Sequence, residues 1–499
     1  MPCVGAPKWE AYQNSNLIID FGNRIPYGCH SVAVARRTLL ESKEIPVAQP
    51  IEAPVLASAI RKSKRYLLPL LFLMGLICLL DRASVGYASL TMNADLGLSA
   101  AAYGFGAGIF FFGYVIFEVP SNMIMQRVGV RVWIARIGIS WGIVMIGMGF
   151  IWDEWSFYAA RLLLGLAEAG LFPAVYFMIG RWFPSATKAG VLAMFLACNA
   201  ISGIIGGPLA SAIFLGADAV GVVDWRALFV VLGLPAIILA LIVLRKLPNV
   251  PSEASWLTAE EARTLDAEIE RETVAGGAVV ETKALKGLTR ALRNPHVWVF
   301  TAIFFLCAMA NYGIILFLPQ IIQSFAATSP VVTALLSSIP YIAGLVAMLL
   351  IAQHSDKAGE RRWHFGITAS VGAAGLLATG LLLSQPIFAM LGLCVVVAGM
   401  MPLTALIWAR ATPMLAGTAA AAGIAFINAI GSIGGFVGPY LIGWFQELSD
   451  SFYSGLVLLA VALLLAAMLT VFVKTPTEKN ISRQTLAERA SLLSDASTR

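Results

Sequence analysis

The sequence predicts an all-α, polytopic membrane protein whose twelve transmembrane helices form two repeats of six. Hydrophobic residues make up 59% of the 499 positions and charged residues only 12%, with a mean hydropathy of +0.81. Soluble domains usually carry about 25% charged residues. Apolar runs of about 18 residues or more, which is the length a helix needs to cross the hydrocarbon core, recur from Tyr66 to Val473. Short motifs of the first half also recur in the second half.

The spans are predicted to be helices because a bilayer offers no water to backbone polar groups, and the apolar runs lack the alternation of barrel strands. We place them at residues 66–91, 102–124, 131–151, 156–180, 188–214, 226–244, 297–318, 331–352, 365–383, 387–408, 417–445 and 452–473. The resulting domains are a disordered cytoplasmic leader (1–60), an N-terminal six-helix bundle (61–245), a cytoplasmic central loop (246–296), a C-terminal six-helix bundle (297–474) and a cytoplasmic tail (475–499).

The two long polar segments have different characters. The leader has no apolar core after a basic start, so it is not a secretory signal peptide. We expect it to be disordered, and part of it to be an artefact of the choice of start site. The central loop carries an acidic, helix-favouring stretch from Trp256 to Glu272.

The distribution of basic residues predicts the orientation. With both termini in the cytoplasm, all but three of the 34 lysines and arginines fall in the leader, the tail, or the inward-facing loops and span ends. Arg82 and Arg161 lie inside spans, and Arg226 is alone on the outside. This contrast follows the positive-inside rule and supports an even number of spans. It also explains the net charge of +6 without a nucleic-acid partner.

Three motifs repeat at an offset of about 230 residues. Spans five and eleven share glycine, three residues, glycine and proline, and spans four and ten share Ala-Gly-x-x-Pro. The loops after spans two and eight share a basic, a glycine and a basic position: Arg127, Gly129 and Arg131, then Lys357, Gly359 and Arg361. Small-residue spacings are common wherever helices pack, but three at one offset predict a duplication. Repeated bundles place a substrate site near the bilayer midplane between them.

Several other classes of function lack their sequence signals. The six cysteines form no C-x-x-C pair and no histidine lies deep in a span, so we expect neither disulfides nor a metal site. No Gly-Lys-Ser/Thr follows the glycine-rich runs, which argues against a phosphate loop and ATP-driven transport. No Ser/His/Asp set has a plausible relation for hydrolysis. We therefore expect no enzyme activity and no cofactor.

Four segments carry a resemblance to a known family: Leu80–Gly86, Tyr103–Phe111, Phe117–Asn122 and Ala167–Pro173. Together with twelve spans in two halves and the basic glycine loops, they resemble the major facilitator superfamily, and more narrowly the bacterial anion:cation symporters. That family includes tartrate, phthalate, hexuronate, galactonate and hydroxyphenylacetate permeases. The resemblance covers about residues 62–475 and is more specific in the first half. One departure is Gln126, where the superfamily loop usually has Asp, whereas the second loop keeps Asp356.

Ionisable residues inside the spans are the first candidates for function, because each costs at least ~2.5 kcal/mol at a helix centre. Asp81 and Arg82 are neighbours that point about 100° apart around one helix, so they cannot satisfy each other well. A guanidinium matches a carboxylate, so we interpret Arg82 as the substrate anchor and Asp81 as a proton site or counter-ion. The alternative is a helix-packing ion pair. The family resemblance implies the functional role.

Span four supplies two further charges. Glu168 lies among apolar residues, and desolvation favours its neutral form, which suits a site that loads and unloads protons. The alternative is a carboxyl group held by another helix. Arg161 lies seven residues earlier on the same face, ~10 Å away along the axis. It belongs to the partner network of Glu168 or to a gate, or it is only structural.

Polar residues with neutral or gating roles complete the set. Glu118, near the inner end of span two, is expected to serve the inner gate. Tyr114 presents a hydroxyl to the cavity or packs at an interface. At the repeat offset the charges of the first half align with neutral residues, so the second half should supply neutral contacts or interhelical hydrogen bonds. The candidates there are Asn311, Tyr312, Gln320 and Asn428.

The sequence therefore predicts a secondary transporter that imports a small organic anion, a carboxylate, together with protons by alternating access. Its partners would be the anion, the coupling proton and the lipid bilayer. We expect a monomer in the bacterial inner membrane. Alternatives are an anion exchanger, sodium-coupled uptake of the same substrates, and a membrane sensor for such an anion, although no signalling module is recognisable.

Overall fold

The structure, a computed structural model, describes residues 53–275, 289–414 and 420–473. Every regular element in these ranges is helical, and twelve helical segments are long and apolar enough to cross a membrane. Both parts of the fold-class prediction are confirmed. Eight of these spans are single helices: Ala53–Leu96, Ala100–Val128, Val130–Met148, Ser185–Val220, Asp224–Lys246, Pro295–Ala326, Arg362–Leu381 and Tyr453–Phe472.

The other four described spans each consist of two helices. Span four is Glu154–Glu168 and Leu171–Trp182, and span eight is Pro330–Leu336 and Ser338–Ala358. Span ten is Pro386–Met400 and Leu403–Met414, and span eleven is Ala420–Ser432 and Gly434–Ser449. The sequence predicted one continuous run in each case, because apolar composition is unchanged across the breaks.

The start of span one differs from the prediction. Its helix begins at Ala53, so residues 53–60 are helical rather than part of a disordered leader. Residues 1–52 and 474–499, with the rest of the predicted leader and tail, lie outside the described residues. The start of this helix contacts the central loop. The Ser58 hydroxyl donates to Glu261 (2.7 Å), and Lys62 forms an ion pair with the same carboxylate (2.8 Å).

The central loop contains the helix Ala259–Ala275, which includes most of the acidic stretch noted in the sequence. Desolvation opposes the Glu261 carboxylate, but hydrogen bonds from Lys62, the Thr258 amide and Ser58 prevail and lower its pKa to about 2. Trp256 stacks on Tyr66 at 5.1 Å between ring centroids. These contacts hold Trp256 and the helix Ala259–Ala275 against the first part of span one.

Small residues let the helices approach closely. A β-carbon on Gly165 of span four would collide with the carbonyl of Phe110 in span two, and one on Gly438 of span eleven with the carbonyl of Met309 in span seven. Gly438 belongs to the repeated glycine motif. The motif therefore serves helix packing, as small residues do in membrane bundles.

The two sets of six helices meet closely at the end that carries Asp95, Asp153, Asp218 and Asp450. There Glu447 of span eleven accepts hydrogen bonds from the Ser99 hydroxyl (2.7 Å) and the Ala101 amide (3.1 Å) at the start of span two. Farther into the helices, Gln320 of span seven donates to Ser89 of span one (2.9 Å).

We predict that this acidic end faces outside and the Lys357 end faces the cytoplasm, because basic residues are concentrated at the latter. In intact cells, a membrane-impermeant thiol reagent should label Asp218→Cys and leave Lys357→Cys unlabelled until the membrane is permeabilised. The unsubstituted chain, with its own cysteines, is the control. The reverse labelling pattern would contradict the orientation.

Candidate functional site

A buried ion pair joins spans one and four near their middles. Arg82 Nε donates to Glu168 Oε1 at 2.5 Å, and the two side chains are 11% and 1% exposed. Cys78, one turn before Arg82 on the same helix, donates its thiol to the same oxygen at 2.6 Å. Within the described chain, Arg82 Nη2 and Glu168 Oε2 are buried without a hydrogen-bond partner. Each partner thus keeps one free bonding position.

Aromatic rings surround the guanidinium. Arg82 Cζ lies 4.9 Å from the ring centroid of Tyr114, 5.2 Å from that of Phe110 and 5.5 Å from that of Phe172. These are cation–π distances, and the rings come from spans two and four. The second half reaches the site through Tyr312 of span seven, whose hydroxyl lies 3.5 Å from Arg82 Nη1. Predicted residues of both halves therefore meet at Arg82.

Asp81 points away from its neighbour, as the helical geometry requires. Its Oδ2 accepts a hydrogen bond from the indole of Trp141 in span three, and its Oδ1 has no partner among the described side chains. The carboxyl group is fully buried. Asp81 thus lies behind the Arg82–Glu168 pair, within the first bundle.

Arg161 is placed apart from Glu168. Its Nη2 donates to the Ala107 carbonyl at 2.7 Å, and its Cζ lies 4.9 Å from the ring centroid of Phe110. Phe110 is therefore within cation–π range of two guanidiniums, those of Arg82 and Arg161. The side chain is 1% exposed, and in the described region its Nε and Nη1 have no partner.

A second polar contact connects the two halves. Asn428 of span eleven donates to both oxygens of Glu118 in span two, at 3.0 and 3.3 Å. This places Asn428 with Glu118 rather than with Arg82. Asn311, the other predicted amide of the second half, is partly exposed and has no hydrogen bond to another described side chain.

The glycines of the two repeated loops both have a positive φ angle, and the loops have different partners. Gly129 and Gly359 both have positive φ angles, +95° and +63°, which glycine adopts without strain. The Arg131 amide donates to Asn249 Oδ1 (3.0 Å) of the central loop, and its guanidinium lies 3.7 Å from Glu253.

In the second loop Arg361 pairs with Asp356 (3.4 Å) and donates to the carbonyl of Ala409 (3.2 Å). Arg127 and Lys357 are exposed.

The sequence reading missed the residues that support the charges. Cys78 and Trp141 hold Glu168 and Asp81, and Phe110 and Phe172 enclose Arg82. One signal was available for Cys78, since a thiol four residues before an intramembrane arginine shares its helix face. No local signal identifies Trp141, because its pairing with Asp81 is set by how spans one and three pack.

The break in span four was also missed. The first helix ends at Glu168 itself, and Gly170 follows with φ of +96°. Ser121 of span two donates to the Ala169 carbonyl at the break (2.7 Å), and Arg136 of span three reaches the Ala167 carbonyl (3.4 Å). The sequence signal was Pro173, which removes a backbone donor four residues after Ala169.

Similar proteins are transporters. The chain is 38% identical over 440 residues to an Agrobacterium vitis protein named "Putative tartrate transporter", covering 88% of this chain and 95% of that protein. It is 37% identical over 414 residues to the Quinolone resistance transporter of Acinetobacter baumannii, covering 83% and 94%. Among solved structures, the xylose transporter XylE from E. coli shares the fold, with a TM-score of 0.64, 16% identity and coverage of 83% and 99%.

The family assignment follows from the sequence match. Residues 71–439 match the profile described as Major Facilitator Superfamily. This region contains the Arg82–Glu168 ion pair and both repeated loops, together with the three rings around Arg82, which we call the ring cage: Phe110, Tyr114 and Phe172. The resemblance noted from the motifs is thus confirmed, as are the expectations of a transporter rather than an enzyme. The chain is a multi-pass membrane transporter that belongs to the major facilitator superfamily.

Proposed function

We propose that this protein is a secondary active transporter that imports a small carboxylate together with protons by alternating access. The observation that carries the proposal is the Arg82–Glu168 pair, whose two members each keep one buried, unpartnered position. A guanidinium is suited to bind a carboxylate, and a buried carboxyl group is suited to bind a proton. Anion and proton therefore have separate places in one site.

The charge balance of this site supports coupling. Arg82 and Glu168 together are neutral. A proton on Glu168 weakens its hold on Arg82 and leaves the guanidinium free for the substrate carboxylate, so the loaded site is neutral again. Loading either species alone would leave a net charge in a low-dielectric interior, which is costly. When Glu168 loses its proton on the inner side, it competes with the substrate for Arg82 and favours release.

Tyr312 and the ring cage support the same function. The Tyr312 hydroxyl reaches Arg82 from the second half, so a bound anion could contact both halves as they rock. Phe110, Tyr114 and Phe172 exclude water around the guanidinium, which strengthens its attraction for an anion. One relative carries the name "Putative tartrate transporter", which fits a carboxylate substrate.

Asp81 and Arg161 have supporting roles in this proposal. Asp81 is a second proton site or the counter-charge of the first bundle, shielded by Trp141. Arg161 contributes positive charge beside Phe110 toward the closely packed acidic end. Glu118 with Asn428 and the two basic glycine loops belong to the inner gate. We further propose a monomer in the bacterial inner membrane with both termini in the cytoplasm.

The proposal is tested by uptake into proteoliposomes that are acidic outside and neutral inside. The panel contains tartrate, a hexuronate, an aromatic monocarboxylate and a quinolone, each measured with and without a proton ionophore. Accumulation of a carboxylate that collapses with the ionophore is the expected result. Accumulation that requires sodium or a preloaded anion would instead show sodium-coupled uptake or exchange. Export of the quinolone with no uptake of any carboxylate would overturn the proposal.

A further inference from the structure

The break in span four leaves backbone carbonyls without their usual partners at the position of Glu168. Glu168 is the last residue of the first helix, and Gly170 adopts a left-handed conformation. Pro173 has no N–H, so it cannot donate to the carbonyl of Ala169 four residues before it. The last carbonyls of a helix carry a partial negative charge of roughly half an elementary charge. The carboxyl group of Glu168 thus lies at the negative end of its own helix.

Two neighbouring spans supply donors to this helix end. Ser121 of span two donates to the Ala169 carbonyl (2.7 Å) and accepts from the indole of Trp133 in span three (2.9 Å). Ser121 is fully buried. Arg136, also of span three, directs Nη1 toward the Ala167 carbonyl (3.4 Å) and the Ser140 hydroxyl (3.3 Å).

Arg136 is fixed in this place by an aromatic ring. Its Cζ lies 4.2 Å from the ring centroid of Trp133, the same indole that donates to Ser121. Within the described residues, Arg136 takes part in no ion pair. Its positive charge therefore acts on the helix end rather than on a neighbouring carboxylate.

Within the described residues, the other titratable groups that interact with Glu168 or with its partner Arg82 come from four spans. They are Cys78, Asp81 and Arg82 of span one, Tyr114 and Glu118 of span two, Arg161 and Tyr176 of span four itself, and Tyr312 of span seven. Among these groups Arg82 and Arg161 are the cations. Arg82 is the group that the substrate engages in the proposed mechanism, so its effect on Glu168 changes during the cycle. The charge of Arg136 is constant throughout the cycle.

We propose that Arg136 is a positioning residue that sets the proton affinity of Glu168 through the broken end of span four, with Ser121 as the second donor to that end. This inference rests on the proposed function, in which Glu168 is the coupling carboxyl group. Arg136 offsets the negative helix end and so favours the ionised carboxylate. Proton release from Glu168 on the inner side, which lets the carboxylate compete with the substrate for Arg82, is thereby favoured.

The test is the pH profile of substrate exchange in proteoliposomes with equal pH on both sides, using the carboxylate found in the uptake panel. Exchange requires protonated Glu168 and therefore falls as pH rises. Arg136→Gln removes the offsetting charge, favours the protonated form and should move the midpoint up by about half a pH unit, the size of a helix-terminus interaction. Arg136→Lys keeps the charge and should retain the wild-type midpoint.

Two further variants complete the design. Ser121→Ala removes a small buried donor and should also raise the midpoint, which keeps the test available if Arg136→Gln does not fold. Ser140→Ala removes the hydroxyl that accepts from Arg136 away from the helix end, and it should leave the profile unchanged. An unchanged midpoint in both Arg136→Gln and Ser121→Ala, with exchange reduced equally at every pH, would overturn the inference.

Failure of the proposed function would look different. In that case Glu168→Gln would retain the wild-type pH profile, because another group would be responsible for it. If substrate exchange by Glu168→Gln does not depend on pH, the proposed function stands. The pH profiles of the Arg136 and Ser121 variants then decide the further inference alone.

Discussion

Arg82→Lys is expected to weaken binding of the substrate carboxylate about 10- to 100-fold, measured on the purified protein by calorimetry or by scintillation proximity. Lysine keeps the charge but loses the planar fork that binds a carboxylate through two parallel hydrogen bonds. A hydrogen bond to a charged group contributes ~1.5–3 kcal/mol, and each 1.4 kcal/mol is a tenfold change in Kd. Lysine also loses the cation–π contacts that the guanidinium makes with Phe110, Tyr114 and Phe172.

The matched control is Arg226→Lys. Arg226 is also an arginine that contacts a ring and a carboxylate, Trp225 and Asp95, but it lies at the acidic end. Its substitution should leave the substrate Kd unchanged. Wild-type affinity in Arg82→Lys would contradict the anchor role and leave Arg82 as the structural partner of Glu168.

The separation of Asp81 from Arg82 shows what sequence reasoning supplies about this site. Adjacent residues on a helix point about 100° apart, so the sequence alone predicted that the two charges serve different partners. In the structure Asp81 bonds Trp141 and Arg82 bonds Glu168. The identity of those partners was not predictable, because it depends on how spans one, three and four rotate against one another. The twelve spans were predictable because apolar length is a local property of the sequence.

The second half of the site was predicted less completely. Alignment of the repeats pointed to Tyr312 opposite Arg82, and the structure places its hydroxyl 3.5 Å from Arg82 Nη1. Asn311 and Asn428 were also candidates for neutral contacts, yet Asn428 forms hydrogen bonds with Glu118, and Asn311 forms none with a described side chain. A repeat offset fixes the span and the depth of a residue. It does not fix which side chain faces the partner bundle, because that depends on local bends such as those in spans four and eleven.

The break after Glu168 illustrates a different limit. The motif Ala-Gly-x-x-Pro occurs in spans four and ten, and both spans consist of two helices. Only span four has a left-handed glycine at the break. In span ten Gly399 instead packs against Gly372, where a β-carbon would collide with the backbone. The same Ala-Gly-x-x-Pro motif therefore forms a helix end beside a charged residue in span four and allows close helix packing in span ten. The residues that pack against each span determine which of the two occurs.

Glu168→Gln is expected to abolish uphill accumulation driven by a pH gradient while preserving exchange of labelled for unlabelled substrate. Glutamine resembles the protonated carboxyl group in size and neutrality, and its oxygen can still accept from Arg82 and Cys78. The variant can bind the anion at Arg82 and rock between its two faces. It cannot take up or release a proton, so the gradient no longer performs work on the substrate.

Both readouts come from the same proteoliposomes, with accumulation measured under a gradient and exchange measured without one. Glu154→Gln is the matched control, because Glu154 lies on the same span, is exposed and bonds only Tyr158 among the described side chains. It should behave as wild type in both assays. Accumulation at the wild-type rate in Glu168→Gln would show that another group couples the proton, with Asp81 the next candidate. Loss of exchange as well would assign Glu168 to the fold or to the conformational change, because an unpaired Arg82 in the interior destabilises the bundle.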